Sequence, residues 1–284
     1  MIADAPKRRG SPSDQVSGRH RHRAAELSVV VPAYREGRHI FNNLTRLVKE
    51  LDKLSVPYEV IVVSDGNTDA TVSEARRLQS PNVVVLDYPM NVGKGFALSF
   101  GVSRSTGPLV TFIDADMELD PANIKGFIDL MHNFECDAVI GSKRHPLSSV
   151  SYPRLRRLQS ALYQFLVWLL FRLDVRDTQT GLKLFRRQVL EQAVPLLAIK
   201  RFAFDLELLV VARFLGYKRI CEAPIRLDFR FESSVSLGSA WNVLWDTAAI
   251  FYRLHIKRYY RRRQLQLELE QGDVNQSAGV IAEA

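Results

Sequence analysis

Leu109-Val-Thr-Phe-Ile-Asp-Ala-Asp-Met-Glu-Leu-Asp120 is the stretch whose reading decides the fold. A β-prone run, Leu109 to Ile113, ends abruptly in two carboxylates one residue apart. Side chains alternate faces along a strand, so Asp114 and Asp116 point the same way, about 6–7 Å apart. Two like charges at the mouth of a buried strand repel unless one is protonated or a cation lies between them. A hard divalent ion, Mg²⁺ or Mn²⁺, meets that geometry and keeps positions open for phosphate oxygens. The plainer alternative is a solvated turn whose Asp side chains accept backbone hydrogen bonds.

Upstream of this stretch the same rhythm repeats. Leu27-Ser-Val-Val-Val31 suits a strand covered on both faces, and Pro32-Ala-Tyr-Arg-Glu36 leads into a helix over roughly 40–54. A second strand, Tyr58-Glu-Val-Ile-Val-Val63, ends in Ser64-Asp-Gly-Asn-Thr-Asp69. A helix near 70–79, a strand at 83–86, the loop Asn91-Val-Gly-Lys-Gly95 and a helix to about 103 follow. Alternating strands and helices predict an α/β fold with a mostly parallel, doubly wound sheet. Glu36, Asp65, Asp69, Lys94, Asp114 and Asp116 all fall where strands hand over to loops, and open α/β sheets bind ligands at that edge. The pattern predicts a nucleotide site. The dinucleotide fingerprint is absent after the first strand and the P-loop signature is absent throughout, which disfavours a dehydrogenase or a P-loop enzyme. Gly93-Lys94-Gly95 offers backbone N–H groups and one ammonium to a phosphate, although an ordinary loop can have the same composition.

The chain has 284 residues, 46% of them hydrophobic, enough for one large domain or one domain with an appendage. Lys and Arg outnumber Asp and Glu by 39 to 31, which favours anionic partners. Cys136 and Cys221 make no disulfide framework and match no zinc spacing, so a reducing compartment is expected. Residues 1–26 read as a disordered basic tail without a signal peptide. The longest apolar run, Ala161–Phe171, is well short of the roughly 20 residues of a membrane span. Leu155, Leu158, Leu162, Phe165 and Leu169 recur at helical spacing among Arg154, Arg156, Arg157 and Arg172. That helix, about 154–173, either packs on the sheet or lies in a membrane interface. Trp241, Leu244, Trp245, Ala248 and Tyr252 share a face ahead of Arg253, Lys257, Arg258 and Arg261–Arg263, giving an amphipathic basic membrane-surface helix over 238–264. The same composition could grip RNA, but no nucleic-acid module accompanies it and no nucleic-acid partner is expected. From 265 to 284 the alternation of Leu with Gln and Glu defines no helical face, and a disordered tail is expected.

Val29–Glu36, Val62–Asp69, Asn91–Gly95 and Asp114-Ala-Asp116 together resemble the family-2 glycosyltransferases of GT-A fold. Gly141-Ser-Lys-Arg144, Asp177-Thr-Gln-Thr-Gly-Leu-Lys-Leu-Phe185 and Arg201-Phe-Ala-Phe-Asp-Leu-Glu-Leu-Leu209 look like the polyprenyl-phosphate branch, which includes dolichyl-phosphate glucose and mannose synthases. The resemblance covers about residues 27–237 and implies a GT-A catalytic domain with appended interfacial helices. It implies that Pro32, Tyr34, Glu36, Asp65, Lys94, Asp114 and Ala115 bind the nucleotide-sugar, with Asp65 on the base. It implies that Asp114, Asp116 and Glu118 hold Mg²⁺ or Mn²⁺, Glu118 standing where some relatives have Gln. Lys143, Arg144, Arg156, Arg157 and Arg230 would meet the acceptor phosphate, and Asp114, Asp116, Asp205 and Arg230 would be catalytic. Two departures stand out: Ser64-Asp65-Gly66-Asn67 replaces the usual Asp-Asp-Gly-Ser, and Arg230 lacks the Gly-x-Ser-Lys that often follows it.

The implied reaction is inverting transfer of one sugar, from UDP-glucose ahead of GDP-mannose, to a polyprenyl or dolichyl phosphate. The implied setting is peripheral, at an anionic membrane surface on the cytoplasmic face. A phosphate acceptor is already ionised near neutral pH, whereas a hydroxyl needs a positioned base. Asp205 and Glu207 either supply such a base or orient Lys183 or an Arg by ion pairing. One rival is transfer to a hydroxyl in cell-envelope polysaccharide synthesis, but the Gln-x-x-Arg-Trp motif and channel-forming spans are missing. The other is a non-catalytic nucleotide-sugar or nucleic-acid binding module, which the retained acidic pair argues against.

Overall fold

The computed structural model describes residues 25–148, 154–199, 203–226 and 237–282, with side chains described outside 154–159, 237–242 and 271–282. The expected tail of residues 1–26 therefore lies outside the described residues apart from its last two. Among the described residues the strands form one seven-stranded sheet in the order β3-β2-β1-β4-β6-β5-β7. These are β1 (Leu27–Ala33), β2 (Tyr58–Asp65), β3 (Val83–Tyr88), β4 (Leu109–Phe112), β5 (Ala138–Ser142), β6 (Lys183–Arg186) and β7 (Ile220–Pro224). β6 pairs antiparallel with both β4 and β5, while the other pairings are parallel. The sheet is thus mostly parallel and doubly wound, as the alternation of elements predicts.

Alternation along β1 shows how the sheet is covered. Val30 joins a core with α3 (Lys94–Arg104), α6 (Arg187–Ala193) and α7 (Phe204–Phe214). Val29 and Val31 join the opposite core with α1 (Ile40–Leu51) and α4 (Asn123–Asn133). The short α2 (Thr71–Arg76) lies on that second face through Ala75. Burial on both faces explains the nearly continuous apolar strands. α3 approaches β1 so closely that a Cβ on Gly101 would lie 2.3 Å from Val30 Cγ1.

Two expectations are corrected. Cys136 and Cys221 are joined in a disulfide, with Cα atoms 6.1 Å apart. Sequence spacing conceals this because the two cysteines, 85 positions apart, meet only when β7 pairs with β5, Ala138 opposite Ile220. The chain beyond 237 is also not one helix and a tail. It is α8 (Leu237–Phe251), a π-type turn at Tyr252–Ile256 and α9 (Tyr259–Ala282), so helix continues through the stretch read as disordered. The alternating leucines mislead because tertiary packing supplies what periodicity lacks: Leu267 packs on the main core, and Gln264 Nε2 donates to Glu268 Oε1 at 3.1 Å. Among the described residues no helix is long and apolar enough to cross a membrane.

Gly101→Ala tests the α3–β1 contact. Better helix propensity returns about 1 kcal/mol, against about 1–3 kcal/mol for forcing a methyl into a packed core. The urea midpoint is expected to fall with an unchanged slope, by the equivalent of up to about 2 kcal/mol.

Candidate active site

The carboxyl ends of β1, β2 and β4 make one edge. Asp65, 3% exposed at the end of β2, accepts hydrogen bonds from Tyr88 Oη at 2.8 Å, Asn91 Nδ2 at 3.0 Å, Val92 N at 2.7 Å and Gly93 N at 2.9 Å. Burial, and then this contact with Asp65, pushes the Tyr88 phenol well above its ordinary pKa. Asp65 thus ties down the loop that feeds α3, and its oxygens are already engaged where the resemblance assigns them to a base. Pro32 lies in β1 opposite Val63, and Tyr34 beyond it is exposed, with the Arg35 guanidinium 5.1 Å from its ring centroid. Glu36 N donates to Thr71 Oγ1 at 2.8 Å. Its carboxyl pKa is raised by burial and then by Asp116, with Asp69 and Asp114 adding to the effect and His39 opposing it. Asp69 goes the other way: despite burial, hydrogen bonds from Thr71 and Gly37 N hold its carboxyl below the ordinary range.

At the end of β4, Met117 takes a left-handed conformation (φ 51°), and Glu118 N donates to Asp116 Oδ1 at 3.1 Å. Burial raises the Asp116 pKa; that hydrogen bond and Lys94 oppose the rise, while Asp114 and Glu118 reinforce it. Ala115 O accepts from Asn43 Nδ2 at 2.9 Å, fixing the backbone between the two acids. Lys94, in the first turn of α3, places Nζ 2.6 Å from Asp114 Oδ1 and 3.9 Å from Asp205 Oδ2. Burial disfavours its charge, yet Asp114 and Asp205 outweigh that and raise its pKa. Asp205, buried in the first turn of α7, also receives Lys183 Nζ at 2.6 Å, and Lys183 donates as well to Thr180 O. Asp114, Lys94, Asp205 and Lys183 form a chain of alternating charge. Asp205 therefore has the ion-pair partners of an orienting residue, not the free oxygens of a base. Space here is tight: a Cβ on Gly181 would fall 2.0 Å from Asp114 Oδ2.

Beyond β5 the cations take over. Lys143 Nζ lies 3.3 Å from Glu118 Oε1, joining the acidic turn to the Gly141–Arg144 segment. Arg144 Nη1 donates to Gln164 Oε1 at 2.6 Å and Ser160 O at 3.1 Å, both on α5 (Arg154–Phe171). The hydroxyls of Ser142 and Thr180 are buried with no hydrogen-bond partner among the described residues. Arg156 and Arg157 belong to α5, but their side chains lie outside the described residues, as does Arg230 entirely. Glu207, fully buried, accepts from Ala198 N at 3.0 Å, Ile199 N at 2.7 Å, Arg253 Nη1 at 3.1 Å and Tyr260 Oη at 2.7 Å. Glu207 orients an Arg, one of the two alternatives its motif allows.

The metal expectation receives a specific answer. Among the described residues no three His, Cys, Asp or Glu side chains gather to hold an ion. Glu118 faces Lys143 and Asp114 faces Lys94, so two of the three expected ligands have a lysine ammonium as neighbour. Two carboxylates are a hard-oxygen donor set that fits Mg²⁺ or Mn²⁺ if phosphate oxygens complete the shell. Tyr88 and Tyr260 are site-shaping residues that motif reading passed over, because their contacts with Asp65 and Glu207 have no local signal, whereas Asn91 and Gly181 lie in the quoted motifs without an individual role.

Residues 28–193 match the sequence profile of Glycosyl transferase family 2. Glycosyltransferase AglD of Haloferax volcanii is 30% identical over 232 residues, covering 80% of this chain and 37% of that protein. The dolichyl-phosphate beta-glucosyltransferase of Drosophila melanogaster is 36% identical over 204 residues, 66% of this chain and 62% of its own length. Dolichyl-phosphate beta-glucosyltransferase ALG5A of Trichomonas vaginalis is 32% identical over 251 residues, 84% of this chain and 77% of its own. This chain thus spans from about a third to three quarters of these relatives. Glucosyl-3-phosphoglycerate synthase of Mycobacterium tuberculosis, solved with uridine diphosphate, superimposes with a TM-score of 0.60 at 20% identity, covering 80% of this chain and 79% of that one. The same enzyme solved with Mn²⁺, UDP-glucose and phosphoglyceric acid gives a TM-score of 0.59. The chain belongs to glycosyl transferase family 2 and has the GT-A fold.

Two predictions follow from this geometry. Asp65→Ala removes an acceptor from two loop N–H groups and two side chains and is expected to cost about 3 kcal/mol, read as a lowered denaturation midpoint. Alkaline pH is also expected to destabilise the fold. Burial, and then Asp52, pushes the Tyr58 phenol up to about 12, and burial followed by Glu207 raises that of Tyr260 further. These phenols titrate near pH 10 in an unfolded chain. The folded state holds their protons more tightly, so stability is full below about pH 10 and falls as pH rises above it. Urea midpoints measured from about pH 9 to pH 11.5 check the sign.

Proposed function

We propose that the protein transfers a single sugar, with inversion, from a nucleotide-sugar to a polyprenyl or dolichyl phosphate, with UDP-glucose the first donor to test and GDP-mannose the next. The observation that carries the reading is the Glu118–Lys143 contact, which sets the acidic end of β4 against the cationic end of β5. Three features of the site then divide the chemistry: the acidic pair, the chain of alternating charge, and the segment that follows Gly141. The names of the dolichyl-phosphate glucosyltransferase relatives support the acceptor class.

Asp114 and Asp116 would hold a divalent cation, which when bound stabilises the charge that develops on the leaving nucleoside diphosphate. Lys94 sits beside Asp114 and would bring a half-buried positive charge to the same leaving group. Lys143 and Arg144 would position the acceptor phosphate. Because that phosphate is already ionised, no residue has to remove a proton, which agrees with Asp205 being neutralised by Lys183.

The acceptor reading requires access to lipid. On α5, Leu162 is 69% exposed, with Phe165, Trp168 and Leu169 also open to solvent, while Val167 and Phe171 face the core. α8 packs beside it through Tyr163 Oη and Thr247 Oγ1, 3.0 Å apart, and exposes Leu244 and Trp245. Arg172 lies 4.9 Å from the Trp168 ring centroid. Exposed apolar side chains beside aromatic and basic ones suit an interface, and an anionic cytoplasmic leaflet matches the sign of the charge. A peripheral enzyme on that face is part of the proposal.

The test incubates the protein with labelled UDP-glucose or GDP-mannose, a short polyprenyl phosphate and Mn²⁺ or Mg²⁺, then extracts with organic solvent. Label is expected in the organic phase, and Asp116→Asn is expected to lower it by about 10²–10³ while leaving thermal stability near wild type. Addition of Mn²⁺ is expected to raise the melting temperature of wild type and not of Asp116→Asn. Label that stays aqueous with every donor would sink the acceptor assignment. Near-normal transfer by the variant would sink the role of Asp116.

A further inference from the structure

Outside the edge described above, the turn between α8 and α9 encloses a cleft of about 430 Å³ lined by Ala249, Tyr252, Arg253, Lys257, Tyr259 and Arg262. Its walls come from the π-type turn Tyr252–Ile256, where Lys257 N reaches back to Tyr252 O at 2.9 Å, and from the first turn of α9. Arg258 between them is left-handed, φ 47°, which gives the elbow its bend. Turns of the π type inside helices recur at functional sites.

The cleft carries three cations and two tyrosines, and no acidic residue lines it among the described residues. The Lys257 ammonium lies 5.9 Å from the Tyr252 ring centroid. Arg253 is held from behind by Glu207, whose one negative charge is shared among Arg253, Tyr260 and two backbone N–H groups. Even when Glu207 is counted, the cleft keeps an excess of two positive charges. Because Glu207 is fully buried on α7, the Arg253 side chain has a fixed support and is not a freely moving surface cation. Tyr252, which lines the cleft, is exposed, and so are two apolar residues on the same stretch of chain, Ile256 in the π-type turn and Trp245 on α8.

We propose that this cleft is a specific site for the phosphate headgroup of an anionic membrane phospholipid, separate from the site of the acceptor phosphate. Arg253, Lys257 and Arg262 would contact the phosphate oxygens, while Tyr252, Trp245 and Ile256 enter the surrounding interface. Charge complementarity selects an anion, and the exposed Tyr252, Ile256 and Trp245 on the same stretch of chain favour a lipid source over a free phosphate. The inference rests on the membrane-surface reading of the preceding section.

The test compares the full chain with two double variants of equal charge: Lys257→Gln with Arg262→Gln, which line the cleft, and Arg261→Gln with Arg263→Gln, which do not. Binding is measured to vesicles of phosphatidylcholine alone and of phosphatidylcholine mixed with phosphatidylglycerol. The lining pair is expected to weaken binding to the anionic vesicles by about 30-fold, and the control pair by several-fold less. Equal losses in the two pairs would reduce the effect to diffuse basic charge and overturn the site, while leaving membrane binding intact. Thermal stabilisation by inorganic phosphate that is lost only in the lining pair, with vesicle binding unchanged, would make the cleft a free-phosphate site and overturn the lipid assignment. A single-stranded RNA oligonucleotide retained in the same residue-dependent way, again with vesicle binding unchanged, would reassign it to nucleic acid. Wild type that binds neither vesicle overturns the headgroup site, and the organic-extraction assay decides the acceptor reading separately.

Discussion

The ion pair between Lys94 and Asp114, 2.6 Å long, is the contact on which the candidate site depends. Lys94 opens α3 and Asp114 closes β4, so the pair joins the donor half of the sheet to its middle strand. Asp205 extends the link to Lys183 on β6, the antiparallel strand, and thereby to the second half of the chain. Lys183 and Asp205 are the buried end of this chain, so removing either leaves the other charge without compensation, which is expensive, while Lys94 and Asp114 are partly open to solvent. Asp205 faces two lysines, an arrangement that fits the proposed acceptor, one that needs no base.

The fold was largely legible in the sequence. Polar residues follow each of the first four strands: Asp65 is the last residue of β2, while Glu36, Lys94 and Asp114 lie in the loops or at the helix start that follow β1, β3 and β4. What periodicity could not provide was partnership across the sheet. The pairing of β5 with β7 brings Cys136 to Cys221, and nothing local to either cysteine announces it. The same limit explains the acidic turn. Asp114-Ala-Asp116 looked like two carboxylates in want of a cation, and Lys94 answers part of that want from another loop. The leucines at 265–269 lacked a helical face because only Leu267 is used by the core, while the remainder of the turn is solvated.

The cationic half of the site was less legible than the acidic half, for a physical reason. The acidic residues sit on turns whose backbone geometry is demanding, such as left-handed Met117. Lys143 and Arg144, proposed to meet the acceptor, are long side chains whose positions depend on tertiary partners, Glu118 and Gln164. Their positions nevertheless join the two surfaces: Arg144 bonds to α5, and α5 carries the exposed Leu162, Phe165 and Leu169. A lipid-linked phosphate approaching along that face would meet the cations before it met the acids. Glu207 makes a parallel connection from α7 to the C-terminal helices through Arg253 and Tyr260.

The central claim is that the acidic edge serves a leaving nucleoside diphosphate and the cationic edge serves an acceptor that is already ionised. The most direct measurement compares, under identical conditions, sugar transfer to a polyprenyl phosphate with transfer to the polyprenol of the same length, whose terminus is a neutral hydroxyl. The account predicts transfer to the phosphate and none to the alcohol; comparable rates with both acceptors would contradict it, because a base would then have to exist where the structure pairs Asp205 with Lys183.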